Sequence, residues 1–382
     1  IIMSTLELIA TATFGLEAVV KRELEKLNYK ILRSEDGKIT FLGDEQAIVR
    51  ANLWLRCADR VLIKMGEFSA ESFEELFQQT AALPWEEWIP MDGKFTVNVT
   101  SVKSKLFSVS DCQAIGKKAI VKRLQQTYDI EQFPETGAFY SVKITLLKDR
   151  ATVTIDTSGP GLHKRGYRIE DVAAPIKETL AAAMVQLTFW KDDRLLVDPF
   201  CGSGTIPIEA AMIGRNIAPG LSRSFVSEEW HAIPKNLWKQ ERKFAFEAIN
   251  YENEVRISAS DIDSKAVASA RKNAEEAGVD DCINFSVGPL DRLKADGDYG
   301  IIVTNPPYGE RIGEKKQIAK IYKDLSNFMH QNPTWSLYLV TSDREFEKLF
   351  REEPADRRRK LYNGRIEICY YQYYGLRPDY NK

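Results

Sequence analysis

Apolar positions along the first half of the chain follow two rhythms. Residues 6–11 are an apolar strand candidate, and Leu16, Val19, Val20, Leu24 and Leu27 recur at spacings of three and four, predicting a helix over 17–27. Strand candidates at 30–34 and 38–42 flank Glu35-Asp36-Gly37, a hairpin signal; a helix over 45–55 and a strand over 61–68 follow. A second unit covers residues 69–158. Its helix over 71–82 stops before Pro84, Phe95, Val97 and Val99 alternate within a strand over 94–102, and a helix spans 110–127. Strands 139–148 and 151–157 then meet at Lys148-Asp149-Arg150.

Ser158-Gly159-Pro160-Gly161 marks a boundary, with residues 159–174 as a linker. From Pro175 the pattern changes to strand, glycine turn, helix, strand. A helix over 177–190 precedes short apolar runs at 195–198, 255–260, 283–287, 300–304 and 335–341, and these predict an open parallel α/β sheet over 175–382. An alternating strand at 365–374 after Asn363-Gly364 predicts a terminal antiparallel hairpin, and residues 214–254 interrupt the alternation as an insertion.

Length and composition narrow the class. The chain has 382 residues, enough for two or three domains, with 44% hydrophobic and 28% charged residues, so it reads as an ordinary globular protein. Lys and Arg number 53 against 55 Asp and Glu, so any nucleic-acid surface must be local. Five scattered cysteines and three histidines predict neither a disulfide framework nor a metal site. No run of 18 apolar residues and no signal sequence is evident, so the cytoplasm is expected and no membrane partner; the oligomeric state is left open. One basic segment stands out: seven basic residues between Lys94 and Arg123 face Asp111 alone. Lys103, Lys105, Lys117, Lys118, Lys122 and Arg123 are candidate RNA contacts, against the alternative of a solvated helix face. In His163-Lys164-Arg165-Gly166-Tyr167-Arg168, basic residues and an aromatic alternate, so Lys164, Arg165 and Arg168 join that set, against the alternative of a polar connector.

Three strand ends carry the chemistry. Leu195-Leu196-Val197-Asp198 runs into Pro199-Phe200-Cys201-Gly202-Ser203-Gly204-Thr205 and a helix. Glycines let backbone approach a ligand, and free N–H groups at a helix start face it. No Gly-Lys-Ser/Thr follows, which excludes a P-loop, and Pro207 replaces the third glycine of a dinucleotide fingerprint. Asp198 repels a pyrophosphate but suits a cationic or amino-bearing ligand. At the second site, Ser260-Asp261-Ile262-Asp263, Asp261 is placed to accept from ribose hydroxyls and Asp263 to cap the next helix. The third is Thr304-Asn305-Pro306-Pro307-Tyr308-Gly309-Glu310-Arg311. Two prolines fix φ and remove donors, leaving the carbonyls of Asn305 and Pro306 as acceptors for a planar amine, with Tyr308 to stack on its ring.

These motifs resemble those of the S-adenosylmethionine-dependent amino-methyltransferases with an Asn-Pro-Pro-Tyr motif. The flanking Leu162–Arg168, Ala174–Val185 and Asn216–Phe225 segments are similar to the bacterial THUMP-domain guanine-N2 RNA methyltransferases, in particular the amino-terminal half of the RlmL-type 23S rRNA enzymes, here as a stand-alone chain. The resemblance spans nearly the whole sequence. It implies a ferredoxin-like domain at 1–68, a THUMP RNA-binding domain at 69–158 and a Rossmann-like methyltransferase domain at 175–382.

It also implies roles. Asp198 and the Pro199–Thr205 loop face the methionine part of S-adenosylmethionine, with Thr179 closing over it. Asp261 and Ile262 hold the ribose side, and Asn305, Pro306, Pro307 and Tyr308 position the target base. Where the family usually has an acidic residue for the adenine amino group, this chain has Gly288-Pro289-Leu290, so that either Asp291 or a backbone group substitutes or cofactor affinity is weaker. The expected activity is methylation of a guanine exocyclic N2 in 23S rRNA or an assembly intermediate. The alternatives are a DNA adenine-N6 methyltransferase, a tRNA guanine-N2 methyltransferase and a non-catalytic RNA-binding assembly factor.

Overall fold

Sequence alternation becomes burial in the computed structural model, which describes residues 5–169, 175–307, 312–350 and 354–377. In the strand Lys94–Val102, Phe95, Val97 and Val99 are buried while the positions between them are exposed, the two-residue period of a half-covered sheet. Contacts divide the described residues into two compact units. The first holds residues through Ala12, Val20–Leu162 and Ser224–Phe244; the second holds Thr13–Val19, His163–Arg223 and the chain from Ala245.

Along the chain the early elements are β1 (Leu6–Ala12), α1 (Glu17–Lys26), β2 (Ile31–Glu35), β3 (Lys38–Gly43), α2 (Glu45–Trp54), β4 (Ala58–Ser69), α3 (Phe73–Ala81), β5 (Lys94–Val102), α4 (Val109–Tyr128), β6 (Phe139–Leu147) and β7 (Arg150–Asp156). The strands form one sheet ordered β2-β3-β1-β4-β7-β6-β5, with a parallel β5/β6 pair. The expected division at 68/69 falls inside β4, which pairs with β1 on one side and β7 on the other, so the first two domains share a sheet. Local chemistry starts the helices: Asp44 caps α2 through the Ala47 amide at 2.8 Å, and Ser72 caps α3 through Glu75 at 3.2 Å. Gly116 lets α4 lie close on the sheet, because a Cβ there would sit 2.6 Å from Ile144 Cδ1.

Part of the expected insertion belongs to this first unit. Trp230 stacks on Tyr140 at 4.6 Å between ring centroids and donates from Nε1 to the Phe139 carbonyl at 3.0 Å. Glu241 accepts from Gln46 at 2.5 Å and lies 3.5 Å from Arg50.

The later elements are α5 (Glu178–Gln186), β8 (Leu196–Asp198), α6 (Thr205–Gly214), α7 (Lys235–Glu247), β9 (Ile257–Asp261), α8 (Ser264–Glu276), β10 (Ile283–Val287), β11 (Ile301–Thr304), α9 (Ile312–Gln331), β12 (Ser336–Thr341), α10 (Phe346–Phe350), β13 (Arg357–Asn363) and β14 (Ile366–Tyr373). Their sheet runs β10-β9-β8-β11-β12-β14-β13. The first five are parallel, and β13 and β14 form the antiparallel hairpin expected at the tail. Strand order reverses at β8, which lies between β9 and β11, and such switch points open a crevice at the carboxyl ends of strands. Helix α5 ends at Gln186, short of the expected 190. Residues of α9 pack Ile318, Tyr322, Leu325 and Phe328 against Val197, Ile302, Leu337 and Leu339 of the sheet.

Candidate active site

The site grows from the carboxyl end of β8. Asp198, 1% exposed, accepts from Thr304 Oγ1 at 2.7 Å and from the Phe200 amide at 3.1 Å. Thr304 ends β11, so this bond ties the glycine loop to the double-proline turn. Burial pushes the Asp198 carboxyl up to about 7; the two hydrogen bonds pull the other way and nearby Asp261 adds to the rise. Among the described residues, no cationic side chain is among the groups acting on it.

After Asp198 the chain turns tightly. The Cys201 amide donates to Ser260 O at 2.9 Å, and the Gly204 amide to Cys201 O at 2.8 Å. Gly202 and Gly204 have φ of +52° and +85°, where a side chain is strained. A Cβ on Gly202 would project into open space, whereas one on Gly204 would lie 3.0 Å from Ala270 Cβ on α8. One glycine keeps room for a ligand and the other lets two helices approach.

Asp261, at the end of β9, braces this loop: Oδ2 accepts from the Gly202 amide and Oδ1 from the Asp263 amide, both at 3.0 Å. Asp263 caps α8 through Lys265 N at 2.9 Å. Each carboxylate oxygen has a further lone pair, so Asp261 can still accept from a ligand. On the other flank, Arg168 donates to Glu178 Oε1 at 2.9 Å and to Thr205 Oγ1 at 2.9 Å, and Asn273 Nδ2 holds Ser203 O at 3.0 Å.

These segments enclose a cavity of about 720 Å³. Pro199, Phe200, Cys201, Gly202, Ser203 and Thr205 line it with Asp198. Asp261, which holds the Gly202 amide, lines it beside them, and Ile262, Leu290, Asp291 and the turn Asn305, Pro306 and Pro307 complete the lining. Asn305 is half-buried and Pro306 buried, while Tyr308 lies outside the described residues. Gly204 shapes the loop without lining the cavity. Thr179 is 1% exposed within α5 and is not part of the wall, a correction to its expected place over the cofactor.

The basic candidates separate. Lys103, Lys117, Lys118 and Lys122 are exposed, with Lys122 5.3 Å from the Phe77 ring centroid. Lys105 is exposed but pairs with Glu71, and Arg123 pairs with Glu86. Lys164 is exposed. Arg165 does not face solvent: its side chain is 2% exposed and lies 3.2 Å from fully buried Glu209, which also accepts from Tyr167 at 3.1 Å. Breaking one partner from a buried pair costs about 3–5 kcal/mol, so Arg165 is withdrawn as an RNA contact. Arg168 likewise points inward, to the glycine loop. Alternating basic residues predict a surface, and the structure differs because Glu209, buried on α6, takes the Arg165 guanidinium as its cation.

Sequence reading also passed over α9, which contributes Gln317, Lys320, Ile321 and Asp324 to the cavity. Their recurrence at intervals of three and four after the Pro-Pro turn was the available signal.

A cavity at the switch point, a buried carboxylate with no cationic partner among the described residues and a glycine that leaves ligand space fit the sulfonium and amino groups of S-adenosylmethionine. The fold and site are those of an S-adenosylmethionine-dependent methyltransferase. Comparison with known proteins extends this. Residues 165–372 match the family model for the RMKL-like methyltransferase domain, residues 7–62 the RlmL ferredoxin-like domain and residues 70–156 the THUMP domain. The chain belongs to this RNA methyltransferase family.

Among its relatives is YpsC of Bacillus subtilis (strain 168), provisionally named as an RNA methyltransferase, at 51% identity over 100% of this chain and 99% of that one. The ribosomal RNA large subunit methyltransferase K/L of Syntrophotalea carbinolica is 34% identical over 94% of this chain, which spans 52% of that longer protein. Of the solved structures, SMU.472, in complex with SAH, is 45% identical with a TM-score of 0.92, covering 98% of this chain and 99% of its own. A Listeria monocytogenes protein described as a predicted N6-adenine-specific DNA methylase is 48% identical with a TM-score of 0.93, covering 98% and 97%. S-adenosylmethionine is accordingly the cofactor of this chain.

Proposed function

We propose that the protein transfers a methyl group from S-adenosylmethionine to the exocyclic N2 of a guanine in 23S rRNA, with residues 69–158 contributing RNA affinity and residues 175–382 the chemistry, and that it works in the cytoplasm. The observation that carries this reading is that the Asn305–Pro307 turn and the Asp198–Thr205 loop line the same cavity. The THUMP match and the K/L relatives support RNA as the substrate, and among the described residues no helix is long and apolar enough to cross a membrane.

The cofactor supplies a methyl group already activated on a sulfonium. The protein's own task is alignment. Asp198 and the loop backbone hold the charged end of the cofactor, and Asp261 takes the ribose hydroxyls. Asn305 and the Pro306 carbonyl accept hydrogen bonds from the N–H groups of the target amine, which makes its conjugated lone pair more available and aims it at the methyl carbon. Pro306 and Pro307 have no N–H, so the backbone of these two residues offers acceptors only. Leaving the helix stack costs the base a few kcal/mol, which binding at this rim offsets in part.

Methyl transfer from tritium-labelled S-adenosylmethionine to 23S rRNA, followed by nucleoside analysis, tests the reading. N2-methylguanosine is the expected product. Label in duplex DNA as N6-methyladenine, or in tRNA alone, overturns it.

A further inference from the structure

We infer that Asp324 of α9 recognises the 6-amino group of the cofactor's adenine, with Lys320 beside it donating to ring N1. The inference rests on the cofactor orientation proposed above, in which Asp261 takes the ribose.

Helix α9 carries two stripes. Ile318, Tyr322, Leu325 and Phe328 face the core, while Gln317, Lys320, Ile321 and Asp324, three and four residues apart, face the cavity. The helix packs on the turn Leu290–Arg292 that follows β10. Since β10 neighbours β9, this wall stands one strand beyond Asp261, where a base attached to the bound ribose would lie. Ile262, Pro289, Leu290 and Ile321 supply apolar surface for the two ring faces.

The polar edge of the base then needs an acceptor for its amino group and a donor for N1. The Gly288 amide is already given to the Asp261 carbonyl at 3.0 Å, and Pro289 has no N–H. Asp324 can only accept when ionised and Lys320 can only donate, which matches the adjacent donor and acceptor of adenine. Among the described residues neither side chain has a partner: one turn apart and lining the cavity, they form no ion pair with each other and no hydrogen bond to another described residue. Asp324 is half-buried, whereas Asp291, the other carboxylate at this end, is exposed. A partly desolvated acceptor without a partner gains more from a ligand donor than one in water.

The test is calorimetric titration of the full chain with S-adenosylhomocysteine and with its 6-desamino purine analogue, which keeps N1 and loses only the amino group. The unaltered protein is expected to prefer the natural ligand by about tenfold or more, the range for a hydrogen bond to a charged group. Asp324→Ala should bind the two ligands with affinities that no longer differ in this way, and Asp324→Asn, whose neutral amide oxygen still accepts, should show a smaller preference than the unaltered protein, while Asp291→Asn keeps the full preference. Lys320→Met should weaken both ligands by the same factor. Full preference retained in Asp324→Ala, or lost in Asp291→Asn, overturns the assignment. Failure of the unaltered protein to bind S-adenosylhomocysteine at all would instead overturn the cofactor orientation on which it rests.

Discussion

Substituting Asp198 by Asn tests the electrostatics of the site most directly. The carboxyl is pushed by burial from an ordinary value near 4 to about 7. A shift of roughly three units corresponds to about 4 kcal/mol at 1.36 kcal/mol per unit, the cost of ionising this group in the ligand-free fold. Because the folded value is raised, the fold holds an extra proton between about pH 4 and 7. The contribution of this group is therefore full at acid pH and is lost as pH rises through that window. A cationic ligand reverses the balance by favouring the carboxylate. Cofactor affinity should rise about tenfold per pH unit below about pH 7 and level off above it, with up to one proton released per ligand bound. Isothermal titration calorimetry from pH 5.5 to 8.5, in two buffers of different ionisation enthalpy, reads both quantities. Asp198→Asn should abolish the proton release, flatten the affinity profile, weaken binding at pH 8 and raise the ligand-free melting temperature at pH 8 but not at pH 4. A flat profile in the unaltered protein, or an unchanged slope in the variant, would refute the argument.

Other perturbations separate the parts of the site. Asn305→Ala should remove turnover while leaving S-adenosylhomocysteine affinity nearly unchanged by calorimetry; loss of binding would mean that the side chain shapes the cavity instead. Arg165→Ala leaves Glu209 buried without its cation and should destabilise the fold by about 3–5 kcal/mol in urea unfolding, against almost no effect if the guanidinium were a surface group. Reversing charge at Lys117 and Lys118 should weaken rRNA binding and flatten its dependence on salt, since fewer counterions are released; an unchanged slope in filter binding would assign these lysines to a solvated face.

Much of this protein follows from local pattern. Alternation placed β5, β6 and β7, periodicity placed α1, α2 and α4, and the three strand-end motifs stood out because their residues are contiguous: glycines that must turn, an acid after a strand, two prolines after another. Such features rest on backbone sterics and hydrogen bonding within a few residues, which sequence carries directly. The tertiary structure alone decided the long-range pairings. It joined β4 to β1 and β7 in one sheet, assigned Trp230 to the stack on Tyr140 and turned Arg165 inward to Glu209, forty-four positions away. It also brought the polar stripe of α9 to the cavity and raised the Asp198 carboxyl. Whether a charged residue meets water or a buried partner depends on which distant segments exclude solvent around it, and that is a property of packing.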